Sequence, residues 1–401
     1  MDPIRNPYSP GAGTPPPYLA GRDDLVQAFE TLLGRAAIGN PVQPLVLSGL
    51  RGVGKTVLLL HWRTQAEAAG WAASHLEARS GADLRAQLAD AVGDLLRQVS
   101  RRYRNADRLE RLKRVAASFA RAAGATVARG GVTLQVEPEP GIADSGDLET
   151  DLTELLVELG RAAREEGGGA MILVDELQDA GAEGLAGVVG ACHRLNQERL
   201  PALIVGAGLP TVGKVLSDAK SYAERLFDLR TVGPLEGSAQ DQAIVEPAEE
   251  LGVEFEPAAL AELRLLAGGY PFFIQTHAKF VWDVASGTPI VVGDVEASGP
   301  RAEDQLRRSF FGPRYDRATR AERRYMHGMA AIGDGDGDGD GDGGVPTADV
   351  ARRLGRRPGD VSVQRDGLLN KGLVYAPERG LVAFTVPHMA AYLRSLPTHE
   401  F

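Results

Sequence analysis

The sequence predicts an α/β fold, a doubly wound parallel sheet, followed by an all-helical region and a smaller C-terminal module of helices and a hairpin. Three observations lead there. Short continuous apolar runs (Leu45-Val46-Leu47, Met171-Ile172-Leu173-Val174, Leu203-Ile204-Val205) recur between longer amphipathic stretches. Strands covered by helices on both faces read this way, because neither face meets water. The first run leads into Gly49-Leu50-Arg51-Gly52-Val53-Gly54-Lys55-Thr56, which fits G-x-x-x-x-G-K-[ST] between a strand and a helix. From residue 233 onward the apolar period becomes purely helical.

In chain order, 1–18 is rich in proline and glycine and reads as a flexible extended arm. A helix follows over 25–37, with Leu25, Phe29, Leu32 and Leu33 on one face. After the glycine-rich turn and its helix to about residue 70, 71–78 reads as a second strand. Residues 82–129 read as helical and carry Arg97, Arg101, Arg102, Arg104, Arg108, Arg111 and Arg114, either as a solvated face among Asp and Glu or as a basic surface. A short strand over 131–136, a loop over 138–147 and a helix over 148–165 precede the apolar run that ends in Asp175-Glu176. Beyond residue 233, helices are expected over 239–251, 258–266 and 271–285, then a linker near 293–300.

Composition bounds the function. The 401 residues, 43% of them hydrophobic and 24% charged, suffice for two to three domains. A net charge of −10 disfavours non-specific adhesion of the whole chain to nucleic acid. Cys192 is the single cysteine, so no intrachain disulfide forms. With no leader pattern and no apolar stretch of bilayer length, the expectation is a soluble, cytoplasmic protein without membrane contact.

The glycine-rich turn carries the chemistry. Its glycines (Gly49, Gly52, Gly54) let successive N–H groups turn inward on an anion, and the following helix adds its amino terminus. In such a loop Lys55 reaches the outer phosphates of ATP, and the Thr56 hydroxyl ligates Mg²⁺. Asp175, closing a buried strand, stands where a carboxylate meets Mg²⁺ through water, and Glu176 is placed to act as general base on an attacking water. Gln178 and Asp179 lie just beyond and could support the acidic pair from behind, without a firm assignment. Arg225 is the candidate for stabilising phosphoryl charge, in cis or from a neighbour, against the alternative of a surface ion pair with Glu224 or Asp228.

These residues resemble the AAA+ ATPases of the origin-recognition type, close to the STAND signalling ATPases of bacteria. The resemblance spans roughly residues 18–390 and rests on Leu19-Ala20-Gly21-Arg22-Asp23, the phosphate loop, Asp175-Glu176, Val205-Gly206-Ala207-Gly208-Leu209-Pro210 and Gly268-Gly269-Tyr270-Pro271. It implies a P-loop NTPase core at 19–232, a helical lid at 233–300, and nucleotide contacts from the Arg22 segment and the Pro271 turn. Where the family commonly places a polar sensor residue, this sequence has Gly206-Ala207-Gly208, and no arginine marks the lid turn. Slow turnover with intact binding is the consequence.

The last segment, 301–401, reads as helices over 318–331, 347–354 (N-capped by Thr347) and 362–370 (closed by Gly372), then a hairpin over 373–385. It resembles a winged helix-turn-helix. Arg356, Arg357, Arg365, Lys371 and Arg379 offer phosphate contacts, while Asp360 and Asp366 lie among them. Double-stranded DNA and a protein partner both stay open, as does a homo-oligomer. The Gly-Asp run of 333–344 reads as a low-complexity loop, with calcium-loop spacing of its aspartates as the alternative.

Overall fold

The computed structural model describes residues 1–11, 13–102, 104–122, 124, 137–333 and 344–397. The strand expected at 131–136 and nearly all of the Gly-Asp run, with its calcium alternative, lie outside them. The chain divides into two units: Asp23–Ser48 with Lys55–Thr231, and Met1–Arg22 with Gly49–Gly54 and Val232–Phe401.

The first of these holds five parallel strands: β1 (Leu45–Ser48), β2 (Trp71–Glu77), β3 (Gly169–Asp175), β4 (Ala202–Gly208) and β5 (Asp228–Thr231). Their order is β2-β3-β4-β1-β5. Parallel neighbours need crossovers, and the helices between the strands supply them. β3 and β4 are buried at every position, as their continuous apolar runs require. The sequence pattern does not predict β5. It is an edge strand, mostly exposed, so no apolar run marks it.

Helices Asp23–Ala37 and Lys55–Ala68 meet through a stacked pair, Phe29 on Trp62, with centroids 4.7 Å apart. The arginine-rich stretch forms helices Leu84–Arg102 and Ala106–Ala122, whose cations are largely paired. Arg108 bonds Glu165, Arg111 bonds Glu158 at 3.0 Å, Arg114 bonds Glu139 at 2.8 Å, and Arg102 caps the Trp71 carbonyl at 2.8 Å. The solvated, ion-paired face is therefore the observed arrangement. Deeper in, Arg85 pairs with the fully buried Asp151 at 2.5 Å, and Ser145 and Gly146 donate to the same carboxylate. Burial works against the Asp151 charge, and the Arg85 and Ser145 bonds overcome it, holding the carboxyl below its ordinary range.

In the other unit, helices Gly237–Glu249, Pro257–Ala267 and Pro271–Val284 match the expected positions. The expected linker near 293–300 is instead inside the helix Val292–Leu306. Gly293, Gly299 and Pro300 signal a break locally, but Val295, Ser298, Ala302 and Leu306 bury one face, and that burial overrides the local preference. The N-terminal arm, expected to be flexible, has fixed partners. Tyr8 is buried and its hydroxyl donates to the Ile244 carbonyl; Asn6 donates to Lys279 O at 2.9 Å and Asp283 at 2.8 Å; Trp282 donates to Asp2 O at 3.0 Å.

The chain then runs through helices Arg320–Ala330, Thr347–Arg353 and Ser362–Asn370. A sheet of β6 (Val345–Pro346), β7 (Val374–Tyr375) and β8 (Leu381–Phe384) pairs antiparallel in the order β6-β8-β7. β6 adds a third strand to the hairpin read from sequence. Gly372, at φ +60°, closes the third helix as expected. Thr347 is the first helical residue rather than the N-cap; Pro346 holds that place, and the Thr347 N–H is already used by the Gly380 carbonyl at 2.8 Å.

Candidate functional site

The phosphate loop leaves the carboxyl end of β1. Its glycines answer two separate demands. A Cβ on Gly49 would stand 2.2 Å from the Val232 carbonyl oxygen, and Gly52 and Gly54 adopt φ of +87° and +95°, a region that side chains disfavour. Residues 49–54 are braced from within their own unit. Arg22 donates to the Val53 carbonyl at 3.2 Å and to the Gly233 carbonyl at 2.6 Å. Burial pushes the Arg22 guanidinium below its ordinary value. Phe272 N–H points to the Gly52 carbonyl at 3.4 Å, and the stacked rings of Phe272 and Phe310, 4.8 Å between centroids, lie beside Gly52. Pro271 starts the helix that carries Phe272. The Arg51 N–H donates to the carbonyl of Thr385, just beyond β8, at 3.0 Å.

In the sheet unit, Lys55 opens its helix and is 7% exposed. The Thr56 hydroxyl donates to Asp175 Oδ2 at 2.5 Å, and the other oxygen of that carboxylate, Oδ1, accepts the Glu176 N–H at 2.8 Å. Asp175 is 5% exposed, so its charge needs these donors. A hydroxyl and a carboxylate oxygen in contact are the hard donor set that Mg²⁺ takes alongside phosphate oxygens and water, and the residues present fit that ion. Among the described residues no cluster of three His, Cys, Asp or Glu side chains forms a cage that would hold a metal by protein ligands alone. Glu176 sits at φ +49°, ψ +42°, uncommon for a residue with a side chain. Its carboxylate accepts from Gln178 Nε2 at 2.6 Å.

Arg225 requires a correction. It lies in the short helix Ala223–Leu226 and is exposed. Its carbonyl accepts from Gln43 at 2.8 Å, and the first residue of β5, Asp228, pairs in register with Leu45, the first of β1. Arg225 therefore stands at the amino edge of the sheet, and Asp175 at the carboxyl edge. A role in cis is closed to it. Among the described residues no ion pair joins it to Glu224 or Asp228, the two partners weighed for it, and Asp228 pairs with Arg230 at 2.7 Å.

Two family descriptions match the chain: AAA ATPase domain over residues 18–205, and Domain of unknown function (DUF8462) over 308–393. Over residues 18–205 the chain is thus similar to AAA ATPase domains. Among solved structures, the Walker-type ATPase PABY2304 of Pyrococcus abyssi is similar at 15% identity, covering 94% of this chain and 96% of that one, with a TM-score of 0.55. That likeness shows the fold, a P-loop NTPase followed by a helical C-terminal region. Cdc6p of Pyrobaculum aerophilum (13% identity, 98% and 96% covered, TM-score 0.48) and the Aeropyrum pernix ORC1 protein in complex with DNA (17%, 94% and 92%, 0.43) are also similar. No curated protein matches the chain. No helix among the described residues is long and apolar enough to cross a membrane.

Two residues beside the phosphate loop are not legible in the sequence. Thr385 and Phe310 reach the loop only through the folding of the C-terminal region, and no local signal marks them. Gln178 was legible: a polar residue two positions after an acidic pair can fold back on it through a tight turn.

Proposed function

We propose that this protein binds ATP with Mg²⁺, hydrolyses it slowly, and acts as a nucleotide-driven switch whose output is the C-terminal region. The loop 49–54 and Lys55 hold the phosphates, Thr56 and Asp175 hold Mg²⁺, and Arg22 and the Pro271 turn fix the backbone around the loop. Mg²⁺, when bound, screens the phosphate charge. Glu176 takes a proton from the attacking water at its carboxylate. Arg225, at the amino edge, acts only on the site of a neighbouring copy.

The observation that carries the switch is the bond from the Arg51 N–H to the Thr385 carbonyl, with Phe310 and Phe272 packed on Gly52. A phosphate loop that changes shape with its ligand moves the groups it is bonded to, so a ligand that favours one loop shape favours one state of the C-terminal region. The helices and strands from Arg320 onward have the order of a winged helix, and we read them as one.

A second reading, nucleotide-gated DNA binding with little turnover, draws on an open cleft of about 700 Å³ lined by Arg352, Arg356, Arg357, Gly355 and Asp360. The deciding experiment identifies nucleotide in the purified protein and follows phosphate release by wild type and Glu176→Gln. Release abolished by the substitution supports the ATPase. Tightly held nucleotide without release, joined to a salt-sensitive duplex affinity that differs between ATP and ADP, favours the second reading. Protein that neither holds nor takes up ATP, with Lys55→Ala behaving as wild type, removes both. Light scattering with and without ATP tests for the homo-oligomer that Arg225 requires.

A further inference from the structure

The sheet end that lacks a polar sensor residue is not empty. The geometry assigns Gln178 as the residue that positions Glu176, by bridging its carboxylate to the end of β4; the assignment rests on the hydrolytic reading above. Gln178 Oε1 accepts the Leu209 backbone N–H at 2.9 Å. Its Nε2 donates to Glu176 Oε2 at 2.6 Å and approaches Asp179 Oδ2 at 3.5 Å. The orientation of the amide is fixed by its partners. A backbone N–H only donates, so the oxygen must face Leu209, and the NH₂ must face the carboxylate.

The glycines that look like a missing sensor are the seat of this bridge. A Cβ at Gly208 would stand 2.6 Å from Gln178 Oε1, and one at Gly206 would stand 2.9 Å from Leu177 Cδ2. Side chains at these two positions would push Leu177 and Gln178 off the strand. β4 lies between β1 and β3 in the sheet, so the bridge ties Glu176 to the strand beside the one that feeds the phosphate loop. Glu176 itself is held in the left-handed region, where the bond to Gln178 fixes the direction of its carboxylate. The amide is neutral, so it orients the base without neutralising it. A lysine or arginine in that place would compete for the charge that must accept the proton.

Two substitutions separate the two ends of the bridge. Gln178→Ala removes both bonds; Gln178→Glu keeps an acceptor for Leu209 and loses the donor to Glu176. Hydrogen exchange at the Leu209 amide, kcat for phosphate release, and ATP Kd are measured for each. Loss of a hydrogen bond to a charged group lowers kcat by about ten- to a hundredfold in both variants, with Kd within about twofold of wild type. Leu209 exchange accelerates by about tenfold in Gln178→Ala and stays slow in Gln178→Glu. Slow exchange at the core amides of β3 shows that each variant is folded. Wild-type kcat in both variants, or unchanged Leu209 exchange in Gln178→Ala, overturns the assignment. Failure of the hydrolytic reading looks different: wild type and Glu176→Gln release phosphate at the same rate, and the positioning role falls with it.

Discussion

The two edges of the parallel sheet offer a direct comparison. At the carboxyl edge, polar groups are buried or half-buried and interlocked: Thr56 on Asp175, Asp175 on the Glu176 N–H, Gln178 on Glu176 and Leu209. At the amino edge, Asp24, Arg35, Gln43, Asn196, Asp228 and Arg230 line an open cleft of about 670 Å³. There the ion pair between Arg230 and Asp228 is roughly half-exposed. Both edges carry charge. They differ in what water leaves to be done: a buried carboxylate must be satisfied by fixed donors, whereas an exposed one is satisfied by solvent and tolerates loose partners. Fixed donors make a site that can hold geometry, and loose ones make a surface that a second chain can rearrange.

Five measurements would break or sharpen that contrast. Glu176→Gln should reduce phosphate release by about a hundredfold or more while leaving ATP affinity within about threefold, because the amide keeps the shape and loses the base. Activity retained would move the chemistry away from the carboxyl edge.

Loss of activity in acid must be separated from loss of fold, and His277 supplies that control. Burial, aided by the charge of His388, pushes the His277 imidazole down to about 4 from its ordinary 6.5. The unfolded chain therefore takes up the proton first. Above pH 6.5 His277 costs nothing, and stability falls as pH drops from 6.5 towards 4. Denaturant titrations should show a loss of about 2 kcal/mol between pH 7.5 and 5 from this group, and His277→Gln should flatten that slope.

Lys55→Ala should weaken ATP binding by about ten- to a hundredfold in calorimetry, since a charge-assisted contact to phosphate is lost. An unchanged affinity would remove the loop from the site. Arg225→Ala should leave ATP affinity as it is and lower hydrolysis by about tenfold only at concentrations where the chain self-associates; equal hydrolysis at every concentration would leave the amino edge without a catalytic part. Arg230→Ala should change unfolding free energy by less than about 1 kcal/mol, as exposed pairs do, and a larger loss would show that the amino edge is as tightly built as the opposite one.

Much of the carboxyl edge was legible because its constraints are local. Gly49, Gly52, Gly54, Lys55 and Thr56 are contiguous, and Asp175 closes a run too apolar to be anything but a buried strand. β5 was not legible, since an exposed edge strand has no apolar signature, and the helix Val292–Leu306 was hidden behind two glycines and a proline. Which edge Arg225 faces was not legible either. That depends on the register of β5 against β1, which no local pattern encodes.

The sequence by itself therefore determined the fold class, the phosphate loop, the acidic pair and the three helices and hairpin of the C-terminal module, because each follows from spacing and burial along one stretch of chain. Only the tertiary structure decided that Asp175 meets Thr56, that Thr385 holds the back of the loop at Arg51, and that Gln178 fills the end of β4. Those contacts join residues from separate strands and helices, and a contact between distant segments exists only once packing has fixed the register and order of the elements that carry them.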